Sequence, residues 1–288
     1  MSRIRPATTD DVPAIAAYLA RAMKGGPPAR YARMLQYTWR ADGAGLGALI
    51  ERADGTVAGF HGALWSRRTY RGVLHDVCNL CNWVVDEDAR GLSLPLLKAL
   101  LDQPAPPGQP APTFVTVSPN PTTAGVMAFL KFTSVPSEKV LVPALPRLGA
   151  GRVLREAAAV RARLDPRAQQ VFDDHARYRC GQFVLAVDDS AGGPPCHVVT
   201  VRRGRGASAF ADVLHASRPE LLAPHLGALA WAAARTHGVA LLGVERRWLG
   251  ASARRLRLVF EALPLMARGP IPAAALDGLY TELVPMYG

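Results

Sequence analysis

Apolar positions near the start of the chain recur three and four residues apart. Val12, Ile15, Ala16, Leu19 and Met23 would share one helical face, after a short extended Arg3–Pro6. Thr8 or Thr9 can cap that helix, with Asp10 and Asp11 in the first turn, where the backbone dipole favours anions. Gly25-Gly26-Pro27-Pro28 ends it, and Tyr31, Met34 and Leu35 predict a second helical piece running toward Trp39. The pattern then turns to strands. Residues 46–51 and Val57–Tyr70 flank Ala53-Asp54-Gly55, a hairpin signal. After Arg71-Gly72 comes Val73–Val85, apolar nearly throughout, as a central strand is.

A Leu-rich helix over Leu94, Leu97, Leu100 and Leu101 follows, then the proline-rich residues 103–112, which predict an exposed loop. Thr113–Val117 is a short strand, 121–131 a helix and 133–142 a further strand. Residues 143–151 mark a boundary, and 152–178 read as helical with a break near Pro166. Strands at 182–187, 197–202 and 209–215, a helix at 219–236 and a strand at 239–245 then repeat the order of residues 46–117, which suggests a duplication. Leu276, Leu279, Tyr280 and Leu283 predict a last helix docked on the core.

Chemistry concentrates where the long apolar strand ends. Residues 83–97 read WVVDEDARGLSLPLL, so Arg-Gly-x-Ser opens the Leu-rich helix. A helix start presents unpaired N–H groups and a positive dipole end, which suit a pyrophosphate. Arg90 adds a fixed cation and Gly91 permits close backbone approach. A plain strand-to-helix turn with a solvated arginine fits this segment alone equally well.

The wider layout, over residues 3–142, resembles the GNAT superfamily of acyl-CoA-dependent acyltransferases. Arg90 takes the first position of that family's R/Q-x-x-G-x-G/A loop, and Val85 the apolar strand end before it. Asn120 and Phe132 stand at the separation of the family's N-x-x-A-x-x-x-Y-x-x-x-G-F. The departures are Ser93 and Pro95 at the loop's later glycine positions, Met127 at the tyrosine and Lys131 at the glycine. Pro95 has no N–H, so one cradle donor is lost.

The resemblance implies an α/β (α+β) fold: a mixed, largely antiparallel twisted sheet flanked by helices, in two tandem units. Residues 1–146 would be the acyl-CoA-binding unit and 147–288 a degenerate copy. It implies a pantetheine arm between the strand ending at Val85 and Thr113–Val117, with backbone groups near Trp83 and Val85 pairing its amides. The amides of Gly91, Leu92, Ser93 and Leu94 would hold the pyrophosphate beside Arg90, and Asn120 would face the cofactor. The co-substrate would be acetyl-CoA or a longer acyl-CoA, with no metal. An amine or hydroxyl of a small metabolite, sugar or amino acid derivative would attack the thioester directly. A central-strand N–H would stabilise the oxyanion, a contribution of about 3 kcal/mol in comparable sites. Candidate bases are His61, His75 and Asp76, with His61, between Phe60 and Gly62, first among them. Ser118 would replace the missing tyrosine as proton donor, or cap the next helix. The second unit has Ser217-Arg218-Pro219-Glu220 at its helix start, where Glu220 would repel phosphate.

Composition narrows the alternatives. Of 288 residues, 49% are hydrophobic and 20% charged, too apolar for a disordered chain. The net charge of +11 attracts polyanions, yet the arginines are scattered and do not interleave with aromatics, so nucleic acid is not favoured. A nucleic-acid binder would lose affinity steeply with salt. Pro224, His225, Arg235 and His237 interrupt the most apolar stretch, so no membrane span is expected, and the N-terminus lacks a secretory apolar run, so a cytoplasmic location is. Cys78 and Cys81 lie inside the central strand and read as buried small hydrophobes. His197, His215, His225 and His237 are too dispersed in sequence for a metal site. A different function class remains: a binding module that kept the fold and lost turnover, suggested by Met127, Ser93 and Pro95.

Overall fold

A computed structural model describes residues 2–23, 26–39, 45–103, 110–117, 119–146, 153–185, 194–204, 206–251 and 259–287. The chain forms two units: residues 1–135, 264–276 and 280–286 make the first, and 136–263, 277–279 and 287–288 the second.

In the first unit, β1 (Arg3–Pro6), β2 (Gly47–Glu51), β3 (Val57–Tyr70) and β4 (Val73–Val85) pair in sequence order, each antiparallel to the last. Arg71 at φ 49 and Gly72 at φ 79 supply the two left-handed residues that a tight hairpin between β3 and β4 needs. β4 is parallel to β5 (Thr113–Val117), and β5 is antiparallel to β12 (Val259–Arg268). Side chains alternate across the sheet. Cys78, Leu80 and Phe114 pack with Leu96, Leu97 and Leu100 of α3 (Ser93–Leu101) and Met127 of α4 (Pro121–Phe129). Val77 and Val115 face the other way, with Ala267, Ile271 and Leu276. α1 (Val12–Met23) and α2 (Pro28–Leu35) bury Ile15, Leu19, Tyr31 and Met34. Thr8 donates to Asp11 from both its N–H and its hydroxyl, so the expected N-terminal cap forms. Cys78 and Cys81 are buried and free, and burial pushes both thiols up.

The second unit repeats the order. β7 (Val153–Leu154), β8 (Gly181–Leu185), β9 (Cys196–Arg203) and β10 (Phe210–Ala216) are successively antiparallel. β10 is parallel to β11 (Leu241–Glu245), and β11 is antiparallel to β6 (Thr133–Pro143). α7 (Leu222–His237) covers the face that carries Phe183 and Leu185, while α5 (Ala157–Ala162) and α6 (Pro166–His175) cover Val184 on the opposite one. Asp212 of β10 is fully buried and bonded to Lys139 of β6 and to Arg203, with Arg203 at 2.9 Å. Glu245 of β11 completes the cluster, 3.6 Å from Lys139.

The closing strands are exchanged. β6 follows α4 in sequence but pairs with β11, whereas β12 follows β11 and pairs with β5. The chain therefore leaves the first unit after residue 135, not 146, and returns to it at 264. Strand pairs this far apart in sequence leave no local signal, which is why the expected boundary differs. The expected last helix is also corrected: only α8 (Leu283–Tyr287) is α-helical there, and Tyr280 sits at φ 59, outside any helix. Among the described residues no helix is long and apolar enough to cross a membrane.

Candidate functional site

β4 and β5 part company early. Their ladder covers Val77–Thr113, Cys78–Phe114 and Asn79–Val115, although β4 runs on to Val85 and β5 to Val117. On its other edge β4 stays paired with β3 to Val85, opposite Gly59. Between the Cys81–Gly62 and Val84–Phe60 pairs, two β4 residues, Asn82 and Trp83, oppose His61 alone. Such a bulge bends a strand and raises its twist. Asn82 takes the left-handed conformation it requires, at φ 50, and donates to Met34 Sδ at 3.0 Å.

An apolar groove of about 780 Å³ lies between α3 and α4, the helices that follow β4 and β5. α3 buries Leu96, Leu97 and Leu100 and leaves Leu94 and Lys98 outward; Leu94 is 57% exposed. α4 buries only Met127, so Val126 and Phe129 are left to the groove, with Phe129 82% exposed. Large apolar side chains gathered at a cleft mark a binding surface more often than scattered ones do. Lys98, paired with Asp102, and Arg268, which donates to the Leu130 carbonyl at 3.3 Å, are its cations.

The residues expected at the helix start do not form an open cradle. Residues 87–92 coil into a 3-10 helix that runs straight into α3, and the Ser93 N–H donates to the Arg90 carbonyl. With Pro95 lacking a donor, the amides read as a pyrophosphate grip over Gly91–Leu94 are not all available; the 3-10 turn, invisible in an Asp-Glu-Asp-Ala run, spends one of them. Arg90 is exposed, 3.7 Å from Glu87. Gly91 is exposed too, and a Cβ there would meet nothing. Leu92 is half-buried against the α3 core. Asn120 caps α4: its Oδ1 accepts the Thr123 N–H at 2.8 Å. That fixes the side-chain carbonyl on the helix. Ser118 lies outside the described residues.

Of the candidate bases, His61 is 1% exposed and stacks on Trp83 with ring centres 5.2 Å apart. Burial holds it neutral, down to about 3. So weak a base takes a proton from an ammonium poorly. Asp76 is tied to Arg67 at 3.3 Å, beside the closed end of the β4–β5 ladder, and His75 lies next to it in the hairpin. At about 3.3 Å per residue, Asp76 is ~16 Å along the strand from Cys81. The structure thus brings His61, Trp83 and Val85 near the split and leaves Asp76 apart.

Sequence reasoning missed Glu282. Its carboxylate accepts from Asn79 Nδ2 at 2.6 Å, joining the C-terminal segment to the last β4 residue that pairs with β5. The second unit also gathers histidines that are far apart in sequence: His215 bonds Asp277 at 2.7 Å, and the His197 ring lies 5.9 Å from that of His215. Among the described residues no group of three potential ligands is placed to hold a metal.

Burial of His61 in the first unit and His197 in the second, both held down to about 3, ties stability to pH. Each folds neutral but takes a proton when unfolded below about 6.5. Their stability contribution is whole above neutral pH and is lost as pH falls from 6.5 toward 3. At pH 5 the loss is about 2 kcal/mol for each. Urea melts at pH 7.5 and pH 5 should show it in both units, and His61→Gln should flatten the response of the first. Midpoints that do not move with pH would contradict this.

No protein-family model matches the sequence, and no curated protein does. Solved structures match throughout. A probable N-acyltransferase from Enterococcus faecalis V583 aligns over 93% of this chain and 73% of its own, at TM-score 0.59 and 12% identity. A GCN5-related N-acetyltransferase from Kribbella flavida aligns over 93% and 72%, at TM-score 0.58 and 15% identity. A putative acetyltransferase from Pyrococcus horikoshii aligns over 100% and 96%, at TM-score 0.55 and 14% identity. Identities this low speak to the fold alone, and on that ground the chain carries the fold of the GCN5-related N-acetyltransferases.

Proposed function

We propose that this protein moves an acyl group from acetyl-CoA, or a longer acyl-CoA, to an amine or hydroxyl of a small molecule. The observation that carries the reading is the parting of β4 from β5 after three paired residues, and the apolar α3–α4 groove supports it. Two strand edges left open in parallel can pair the amides of an extended arm, as an added strand would. The groove suits an apolar chain, and Lys98, Arg268 and Arg90 supply cations for phosphates. With Ser93 engaged, the diphosphate grip rests on these side chains more than on backbone amides. The acceptor attacks the thioester carbonyl, a backbone N–H on the unpaired part of β4 steadies the oxyanion, and Ser118 is the proposed proton donor to the departing thiolate.

A second reading, an acyl-CoA binder without turnover, is favoured by Met127, which is buried in the core where a phenol would be needed. Isothermal titration with acetyl-CoA and longer acyl-CoAs, followed by thiol-release assays over amines, alcohols and sugars, separates the two. Affinity without product supports the binder; no affinity for any donor ends both readings.

Gly125 offers a sharper check. It lines the groove from the interior of α4, and a Cβ there meets nothing within 4 Å. Gly125→Leu should fill the groove and weaken acyl-CoA binding at least tenfold, about 1.4 kcal/mol. The same change should leave the melting temperature equal or higher, because leucine favours a helix over glycine by up to about 1 kcal/mol. Unchanged affinity would place the donor elsewhere.

A further inference from the structure

The second unit repeats the strand split of the first. β10 pairs with β11 only at Ala211–Leu242 and Asp212–Gly243, although β10 runs on to Ala216 and β11 to Glu245. A bulge follows the last pair here as well: Leu214 is the extra residue between Val213, opposite Thr200, and His215, opposite Val199. In the first unit β4 leaves β5 after Asn79 and bulges at Asn82 and Trp83. The duplication thus reaches the feature that receives the donor arm in the reading above. What differs is the approach to the helix. A 3-10 turn over Pro219–Leu221 leads into α7, and Arg218 beside it is taken by Glu220 at 3.0 Å and by the Pro194 carbonyl at 2.8 Å. An acid at that helix start disfavours phosphate.

The stretch of β10 beyond Asp212 is met by the chain's own Asp277–Leu279, which belongs to the same unit. The Gly278 N–H donates to the Leu214 carbonyl at 2.9 Å, and His215 Nδ1 lies 2.7 Å from Asp277 Oδ2. Leu279 is buried, and its N–H donates to Asp277 Oδ1 at 3.0 Å. A Cβ at Gly278 would stand 3.0 Å from Leu214 Cδ2 and 3.2 Å from its Cβ, so glycine allows this close approach. A backbone N–H given to a strand carbonyl, with side chains anchored on either side, is how an added strand binds. Beside these contacts the His197 ring lies 5.9 Å from that of His215. Its Nε2 donates to Gln182 Oε1 at 3.1 Å, so the neutral ring keeps Nδ1 as an acceptor, buried without a hydrogen-bond partner. An amide N–H would satisfy it.

We infer that the second split is a binding site for an extended amide chain without phosphates, and that Asp277–Leu279 is its built-in occupant, latched by the His215–Asp277 contact; this rests on the acyl-transfer reading above. The chain then carries two splits but takes a donor only at the first. An occupant tethered within the same chain acts at an effective concentration of about millimolar, so free chains do not displace it. Loosening the latch lowers that advantage and opens the slot. The ligand class follows from what the slot presents: the Leu214 carbonyl and His197 Nδ1 accept amide N–H groups, and the helix start offers nothing to a diphosphate.

Asp277→Ala removes the latch, and Gly278→Val presses a branched side chain on Leu214, so the double variant should open the slot. Titrations of both proteins with acetyl-CoA and with S-acetylpantetheine, the thioester arm without its phosphates, count the sites. Hydrogen–deuterium exchange reads the amides of residues 213–216. Wild type should take one equivalent of either compound. The double variant should still take one of acetyl-CoA but two of S-acetylpantetheine. Its amides over 213–216 should exchange about tenfold faster, about 1.4 kcal/mol of local opening. Two equivalents on the wild type would overturn the inference and leave acyl transfer standing. So would a double variant that takes one equivalent of S-acetylpantetheine, even with faster exchange, because the segment then covers a strand and not a slot. Absence of binding to the wild type would end the donor reading and this inference together. If the double variant melts early, Asp277→Asn alone decides, since it keeps the acceptor for the Leu279 N–H and discharges the latch. A second equivalent of S-acetylpantetheine there supports the inference, and a single one rejects it.

Discussion

Gly47→Ala is expected to lower the stability of the first unit by about 4 kcal/mol or more, at the extreme of single substitutions. Gly47 begins β2 at φ 130, where alanine has no comfortable conformation. A Cβ there would sit 2.1 Å from the His61 carbonyl oxygen, 2.9 Å from Gly62 Cα and 3.1 Å from Ala63 N. All three are backbone atoms of β3, so no side chain can swing aside. Relief requires moving β2 off β3, and the Ala63 N–H to Leu46 carbonyl bond at 3.0 Å and the Ala7 N–H to Gly47 carbonyl bond at 2.9 Å would go with it. Because His61 lies opposite the β4 bulge, the same shift disturbs the strand split. Gly55→Ala is the control: at φ 81 with nothing within 4 Å, it should cost about 1 kcal/mol. Urea unfolding read by circular dichroism measures both. A Gly47→Ala protein that unfolds beside wild type would refute the argument.

Local chemistry made most elements legible. Asp54-Gly55 and Arg71-Gly72 announce their turns, and Val73–Val85 and Thr113–Val117 form the strands expected. Such features depend on neighbours within a few residues. The exchanged closing strands do not: β12 carries Pro264 and charged residues, and its partner β5 lies about 150 residues earlier in the chain. Nothing in either segment names the other. The last helix failed for a related reason. Leu276, Leu279 and Tyr280 are buried as the periodicity required, but they line an irregular segment packed from several sides.

The elements around the candidate site are legible in the sequence, and the bonds its side chains make are not. The junction after Val85 and the strand pair beside it are where the sequence put them. The amide cradle was not foreseeable as closed, because 3-10 and α geometry differ by one residue of hydrogen-bond reach, which composition does not encode. His61 looked available because strand alternation gives a side but not a depth, and the stack on Trp83 shuts it in. Glu282 carried no motif. The one signal that pointed to its partner was an asparagine in the middle of an apolar strand, Asn79, a polar group that must find a mate when buried.

Lys139→Met is expected to cost the second unit about 3 kcal/mol. Lys139 is the only lysine of its unit and is nearly buried, between Asp212, fully buried on β10, and Glu245 opposite it on β11. Arg203 also holds Asp212 and Arg247 lies 4.0 Å from Glu245, so removing Lys139 leaves each carboxylate with one arginine and takes from the fully buried Asp212 one of its two cations, in a place water reaches poorly. The cluster also gives β6 its register: a slip of one residue would turn Lys139 to the other face and strand both acids. That is how a strand expected to close the first unit is held to β11. Asp212→Leu added to Lys139→Met removes that under-paired carboxylate, so the double variant should be no less stable than Lys139→Met alone, where independent losses would add. Urea midpoints of the four proteins in this cycle read the coupling, and simple additivity would mean that the pair does not hold the strand.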